Sequence, residues 1–225
     1  MQDLLTKIEI KLNESIYIKD PNSSELGKRI VSGGVDLIAE LGFEQFNFKK
    51  LGLHIASPEA SIYRYFESKH KLLLYITSWY WGWMEYKLVF ALANIVSPEE
   101  RLEIALNLLT ADLNDTAEYP HINKLNLQRI LTNEASKAYL CKEVDDENSH
   151  GVFLGYKQVV ARISDIIHEI NPDYAYPHML ISTVVEGAHH QRYFADHLPR
   201  LTDKIDDKNA IKEFYKELVL KAIQK

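Results

Sequence analysis

The sequence predicts an all-α chain. Apolar residues recur at helical spacing in one segment after another, and Pro, Gly, Asn and Ser clusters separate these segments at roughly helix-length intervals. Between Asn47 and Leu74 the pattern tightens into a short helix, a tight turn, a second short helix and the start of a longer one.

The chain opens ambiguously. Residues 3–18 mix helical and strand-like patterns, with Leu4, Leu5, Ile8 and Leu12 at helical spacing. Lys7, Lys11 and Lys19 are offset there by four acids, so packing on the next domain is the expectation rather than an arm reaching a polyanion. Asp20-Pro21-Asn22-Ser23-Ser24 is a break, and Ser23 or Ser24 is suited to cap a helix running to about Leu41 through Leu26, Ile30, Leu37 and Ile38. Gly33-Gly34 reads as its weak spot. The side-chain oxygen of Asn47 is placed to cap the next helix, in which Phe48, Leu51 and Ile55 face inward and Lys49 and Lys50 outward. Ala56-Ser57-Pro58 ends that helix, and Pro58 suits the first position of the following one. Ile62 and Phe66 share a face there, leaving Ser61, Tyr63, Arg64 and Tyr65 to point elsewhere.

Two short helices so joined form a helix-turn-helix, which lays its second helix in the DNA major groove. The outward residues suit that task. Tyr63 and Tyr65 can donate to phosphate oxygens, Ser61 and Arg64 can reach phosphates or base edges, and Lys69 begins the following helix where a phosphate can be held. The candidate DNA-binding set is therefore Asn47, Lys49, Lys50, Ser61, Tyr63, Arg64, Tyr65 and Lys69. The alternative is a small helical subdomain whose tyrosines merely cover a core.

Ser61-Ile62-Tyr63-Arg64-Tyr65-Phe66-Glu67-Ser68-Lys69, followed by Leu72-Leu73, resembles the signature of the TetR family of transcriptional regulators. Upstream, Gly42-Phe43 resembles the Gly-aromatic pair that ends the first helix of that family, and Ile38 and Leu41 its buried face. The resemblance spans roughly Leu26 to Leu74. Two positions depart from it: Ala56 stands where the family's turn carries glycine, which implies a strain of order 1 kcal/mol, and Glu59 stands where lysine or a small residue is common. Glu59 reads as a first-turn acid favoured by the helix dipole, with contact to a cytosine amino group as the alternative.

Composition fits one soluble protein. The net charge is −6, but residues 24–72 hold seven Lys/Arg against six Asp/Glu, a local +1 that leaves −7 on the remainder. This predicts few phosphate contacts per head, with the acidic body orienting the head toward DNA. A single cysteine, Cys141, excludes an intramolecular disulfide framework and reads as a partly buried structural thiol. Neither a signal segment nor a bilayer-length apolar run is evident, so no membrane association and a cytoplasmic location are expected.

A long helix should run from Lys69 to about Ile95, with Trp79, Trp81 and Trp83 inside five residues. Five consecutive helical positions encircle the helix, so not all of these rings can face one core. Further helices are predicted over 98–117, 121–140, 151–170, 174–197 and 207–223, with breaks at Tyr119-Pro120, the acidic run 145–149, Asn171-Pro172 and Leu198-Pro199. The helices over 151–170 and 174–197 form an expected hairpin with apolar positions Phe153, Val160, Ile163, Ile167, Leu180, Val184 and Ala188.

For this helical body, the resemblance implies specific roles. The long helix links head to body, and Trp83, Tyr86, Val89, Phe90, Leu106, Leu109 and Leu113 become candidate walls of an effector pocket. For each residue taken singly, an ordinary core role is the alternative. The late hairpin implies a homodimer through 151–170 and 174–197, hence two heads about 34–36 Å apart on a palindromic operator. The domain reading is an N-terminal extension over 1–23, a three-helix DNA-binding head over 24–70 and a helical ligand-binding and dimerisation body over 71–225.

The histidines give no metal motif. His178, His189, His190 and His197 share one predicted helix, with His121 and His150 elsewhere, and no i, i+4 pair occurs among them. They read as surface or interface residues, so no metal ligand and no cofactor are assigned. Nor does any phosphate loop, nucleophile elbow or paired-cysteine motif point to an enzyme. The function expected is a ligand-responsive regulator, more readily a repressor, with a small-molecule effector. The alternative is a helical interaction protein whose head has lost operator binding.

Overall fold

A computed structural model describes residues 10–112, 121–203 and 210–224. Leu4, Leu5, Ile8, Lys7, the candidate pocket residue Leu113, the end of the helix predicted to residue 117 and the start of that predicted from 207 lie outside the described residues. Among the described residues there are ten α-helices and no strand: α1 Glu25–Leu41, α2 Phe48–His54, α3 Glu59–Ile62, α4 Lys69–Leu92, α5 Pro98–Thr110, α6 Lys124–Asn133, α7 Val144–Ser149, α8 Leu154–Ile170, α9 Pro177–His197 and α10 Ala210–Ile223. None of them is long and apolar enough to cross a membrane. The chain divides into two compact units, the first made by the residues up to Gly82 with those of α6 and α7 as far as Leu154, the second by Trp83–Asp112 with the residues from Gly155 onward.

In the first unit, Ser24 caps α1 by accepting from Gly27 N–H, and Gly42, at φ +75°, ends it. Ile30, Val35, Ile38, Leu51, Ile62, Phe66, Leu72 and Leu73 form a solvent-free core. Gly33 and Gly34 are not weak points. A methyl on Gly33 would sit 2.5 Å from Ile55 Cγ2, and one on Gly34 2.8 Å from Leu72 Cδ2, so the bare backbone admits both neighbours. The segment before α1 packs here as expected: Ile16 is buried, Ile18 N–H donates to Tyr65 carbonyl, and the Tyr17 ring meets Tyr75 edge-on. Helix α6 lies against α1, where Asn126 Nδ2 donates to Asp36 at 2.7 Å and Glu134 accepts from Phe43 N–H.

Several boundaries differ from expectation: the helix predicted to 117 closes at Thr110, and that predicted over 121–140 spans Lys124–Asn133. Two further differences have local reasons. Helix α4 stops at Leu92 because Asn94 adopts the left-handed conformation at φ +65°. The acidic run, predicted as a break, forms α7: Asp145, Asp146 and Glu147 occupy its first turn, where the dipole favours acids, and Glu147 is buried against Lys71 and the His70 ring. Cys141 is half-buried with its thiol 3.8 Å from Ala138 carbonyl, and burial pushes its pKa up.

In the second unit, Leu88, Leu102, Leu106, Ile163, Ile167, Ile181, Val184, Ala188 and Val219 make the core. Tyr156 donates to Glu186 across α8 and α9, and Gly187 on α9 accommodates the Tyr215 hydroxyl of α10. The hairpin positions Ile163, Ile167, Val184 and Ala188 are therefore occupied within the chain, whereas Met179, Phe214 and Leu218 stand exposed.

These packings predict two outcomes. Ala56 has φ +49°, so Ala56→Gly is expected to stabilise the protein by up to about 1 kcal/mol, and Ala56→Val to destabilise it by more, in denaturant titrations. His189 is held neutral by burial, with Arg192 and His190 adding to the effect, and its pKa is pushed down to about 3. The unfolded chain takes up that proton near pH 6.5, so stability is unaffected above this value and falls as pH drops from 6.5 toward 3. The loss is expected to be about 2 kcal/mol by pH 5, and His189→Gln should flatten the melting temperature between pH 7 and 5.

Candidate nucleic-acid interface

The head presents α2 and α3 on a rigid base. Asn47 Oδ1 accepts from Lys50 N–H and fixes the start of α2, as its sequence position implies. Phe48 is buried and meets the Tyr63 ring edge-on at 5.0 Å, which braces the two helices against each other. In the turn, Ser57 N–H returns to Gly52 carbonyl at 2.9 Å, and a side chain on Gly52 would strike that same backbone. Arg29 reaches over from α1 to donate to Ile55 carbonyl at 3.3 Å, satisfying the exposed end of α2. Sequence reasoning missed this role because it joins residues 26 positions apart.

Helix α3 is only four residues long, yet Phe66 N–H still bonds to Ile62 carbonyl, so Ile62 and Phe66 stay in register on the buried face. Opposite them Tyr63, 48% exposed, and Arg64 face solvent, with Ser61 half-buried between. Lys49 and Lys50 are exposed on α2, and Lys50 Nζ donates to Gln45 carbonyl. Leu53, 78% exposed near the end of α2, joins this surface unannounced by its apolar character.

Two of the expected surface residues are committed elsewhere. Tyr65 turns inward, 3% exposed, with its hydroxyl 2.7 Å from Ser24 Oγ, a bond that lowers its pKa. Its ring lies under Lys19 Nζ at 5.2 Å. Lys69 Nζ donates to the carbonyls of Phe43 at 2.8 Å and Glu44 at 3.1 Å and sits over the Phe43 ring. Its ammonium thus ties the end of the α1 loop to the start of α4.

The second unit contains an open cleft of about 530 Å³ between α4, α5 and α8, whose lining includes Glu85, Val89, Leu92, Arg101, Arg162 and Asp165. Arg162 Nε donates to Glu85 at 3.0 Å and Arg101 Nη1 to Glu169 at 3.1 Å, while the buried Nε of Arg101 has no partner among the described residues. Of the pocket walls named from sequence, only Val89 lines this cleft. Leu106 and Leu109 are core residues, Trp83 packs beneath Lys87 Nζ, and Tyr86 meets Phe90, itself 59% exposed, at a tilt. The cleft is lined by paired charges rather than rings.

A helix-turn-helix head followed by an all-helical body is an arrangement shared with known bacterial regulators. Residues 30–76 match the family model described as bacterial regulatory proteins, tetR family. Solved structures share the fold: the fatty acid degradation regulator FadR from Bacillus halodurans, at 18% identity and TM-score 0.62, covers 85% of this chain and 93% of its own. FadR from Bacillus subtilis in complex with stearoyl-CoA, at 16% and 0.65, covers 87% and 98%. AibR in complex with isovaleryl coenzyme A and operator DNA, at 13% and 0.57, covers 85% and 97%. No curated protein sequence matches the chain. Over residues 30–76 the head is thus similar to the tetR family, and the rest of the chain shares its all-helical fold with the solved regulators.

The two roles open to Lys69 are separable. Lys69→Met is expected to lower stability by about 1–2 kcal/mol, through loss of charge-assisted bonds to two carbonyls. It should leave the slope of log K against log salt for DNA binding unchanged, whereas Lys49→Met should reduce that slope by about 1 where Lys49 meets a phosphate.

Proposed function

We propose that the protein is a ligand-responsive transcriptional repressor that reads a palindromic operator as a homodimer. The observation that carries this reading is the outward row Lys49, Lys50, Ser61, Tyr63 and Arg64 on a helix-turn-helix whose inner face, Ile62 and Phe66, is fully buried. Arg64 is placed to read guanine, Ser61 and Tyr63 to meet phosphates or base edges, and the lysines to hold the backbone. The head carries little excess positive charge, so base-edge contacts and the second copy supply affinity that a basic patch would otherwise give.

Dimerisation is assigned to 151–170 and 174–197, where exposed Leu154 and Met179 leave apolar area for a second copy. The effector is assigned to the second unit. The cleft with its two Arg–Glu pairs and the unpartnered Arg101 Nε suits a ligand with an anionic group, and the coenzyme A ligands of FadR and AibR make acyl-CoA thioesters the first class to test. Helix α4 belongs to the first unit up to Gly82 and to the second from Trp83, so it is a continuous helical route between effector and head. A ligand favouring the operator-incompetent state by about 3 kcal/mol lowers operator affinity on the order of 100-fold.

Selection of bound fragments from the source genome by purified protein tests the reading. A palindromic site is expected, lost in the Arg64→Ala, Tyr63→Phe double variant. An effector that acts as proposed will bind antagonistically with that site, and independent binding would sink the mechanism. Absence of any enriched site across effector conditions would favour a helical interaction protein whose head no longer reads DNA.

A further inference from the structure

Outside the reading surface, three side chains with metal-binding chemistry converge in the first unit. His70 lies in the first turn of α4, Cys141 in the turn that precedes α7, and Glu147 on α7. Their ligand atoms all fall within 4.8 Å of one another. His70 Nε2 is 3.8 Å from Cys141 Sγ and nearly equidistant from the two Glu147 oxygens, at 3.1 and 3.2 Å. For zinc with bonds of about 2.0–2.3 Å, neighbouring tetrahedral ligand atoms stand roughly 3.3–3.7 Å apart, so small adjustments bring this set onto one ion.

The surroundings are built rather than incidental. Glu147 is 2% exposed, a position carboxylates avoid unless a cation faces them. Lys71 supplies one such cation, at 3.2 Å from one oxygen. That pair alone does not account for a thiol and an imidazole nitrogen gathered on the same carboxylate. Ser78 Oγ donates to Val152 carbonyl and Asn13 Nδ2 to His150 carbonyl, which pins the chain around α7 to α4 and to the segment before α1. Cys141 is half-exposed and gives solvent access, and exposed Glu143, Asp145 and Asp146 lend the negative potential that draws a cation.

We propose that His70, Cys141 and Glu147 bind a divalent transition metal ion of the zinc type. Sulfur and imidazole nitrogen select such an ion over magnesium or calcium, which take oxygen ligands. Binding releases the thiol proton to solvent, and the thiolate and carboxylate neutralise the dication. Three protein ligands leave one position for water, as in exchangeable sites rather than closed structural ones. The ion clamps α7 to the first turn of α4, next to Lys69 and Leu72, which hold the head. Metal occupancy therefore shifts operator affinity; this last step rests on the DNA-binding reading above.

The test uses the full-length, untagged protein under reducing conditions, titrated with Co²⁺ and then displaced by Zn²⁺. Expected are one ion per chain, tetrahedral visible bands and a thiolate-to-cobalt charge-transfer band absent from Cys141→Ser. His70→Gln and Glu147→Gln should each weaken uptake by more than about 10-fold, the lower end of what loss of even an outer-sphere partner costs. Zinc should raise the melting temperature of the native protein but not of Cys141→Ser, a mild change that serves as the folded control. Failure to bind an equimolar ion, or a cobalt spectrum indifferent to Cys141→Ser, overturns the site and leaves a buried Glu147–Lys71–His70 ion cluster. Zinc should change operator affinity by about 5-fold or more in the native protein and not in Cys141→Ser. An unchanged affinity overturns the regulatory step while the site stands. Should no operator exist, the cobalt and melting readouts still decide the site.

Discussion

The head depends on close approach at the middle of α1. Gly33 and Gly34 expose bare backbone to Ile55 on one side and Leu72 on the other, and a single added methyl on either would overlap its neighbour. Ile55 ends α2 and Leu72 belongs to the first turn of α4, so this pair of glycines sets how both elements sit on α1. Arg29, one turn before, then bonds Ile55 carbonyl, and the turn at Ala56 follows from there. A larger residue at 33 or 34 would require Ile55 or Leu72 to shift, and neither of these belongs to the outward row. The cost of glycine in a helix, about 1 kcal/mol, is offset by the apolar burial that the approach permits.

A consequence of this tight assembly is that several polar groups which look free in the sequence are spent inside it. Tyr65 closes the head onto Ser24, and Lys69 secures two carbonyls of the loop after α1. Each ties segments far apart in the chain, so neither is available as a ready phosphate ligand. The residues left outward form a shorter set, Lys49, Lys50, Ser61, Tyr63 and Arg64, on a head whose net charge is already only +1. Specificity must then come more from geometry and base edges than from bulk electrostatics.

Local chemistry was legible in the sequence. Asn47 and Ser24 cap the helices they precede, and Ala56 carries the positive φ that its place in the turn implies. The inward pair Ile62 and Phe66 follows from spacing alone. Long-range facts were not. Tyr65, three residues after Ile62, falls on the inward face by helical spacing, but its bond to Ser24, 41 residues away, leaves no trace in the local pattern. The glycine pair looks like a propensity defect until its neighbours are known. Charged Arg101, Arg162, Glu85 and Glu169, which no sequence motif singles out, line the cleft, while the conspicuous aromatics Trp83, Tyr86 and Phe90 of α4 pack on one another or beneath Lys87. His70, Cys141 and Glu147 are separated by 71 or more positions from His70 onward and match no spacing rule.

These constraints meet in the first turn of α4. Four successive residues there make four different attachments: Lys69 to the loop carbonyls, His70 to Cys141 and Glu147, Lys71 to Glu147, and Leu72 to the Gly34 face of α1. A helix turn presents consecutive side chains around its circumference, so these bonds resist rotation of α4 in every direction at once. They also place the only carboxylate buried in the described part of this unit where Lys71, the His70 imidazole and a thiol compete for it. A small redistribution of charge at Glu147 therefore bears on the same turn that positions the head. On the proposed regulatory reading, a change in how this one turn is held reaches the head without any contact to its outward residues.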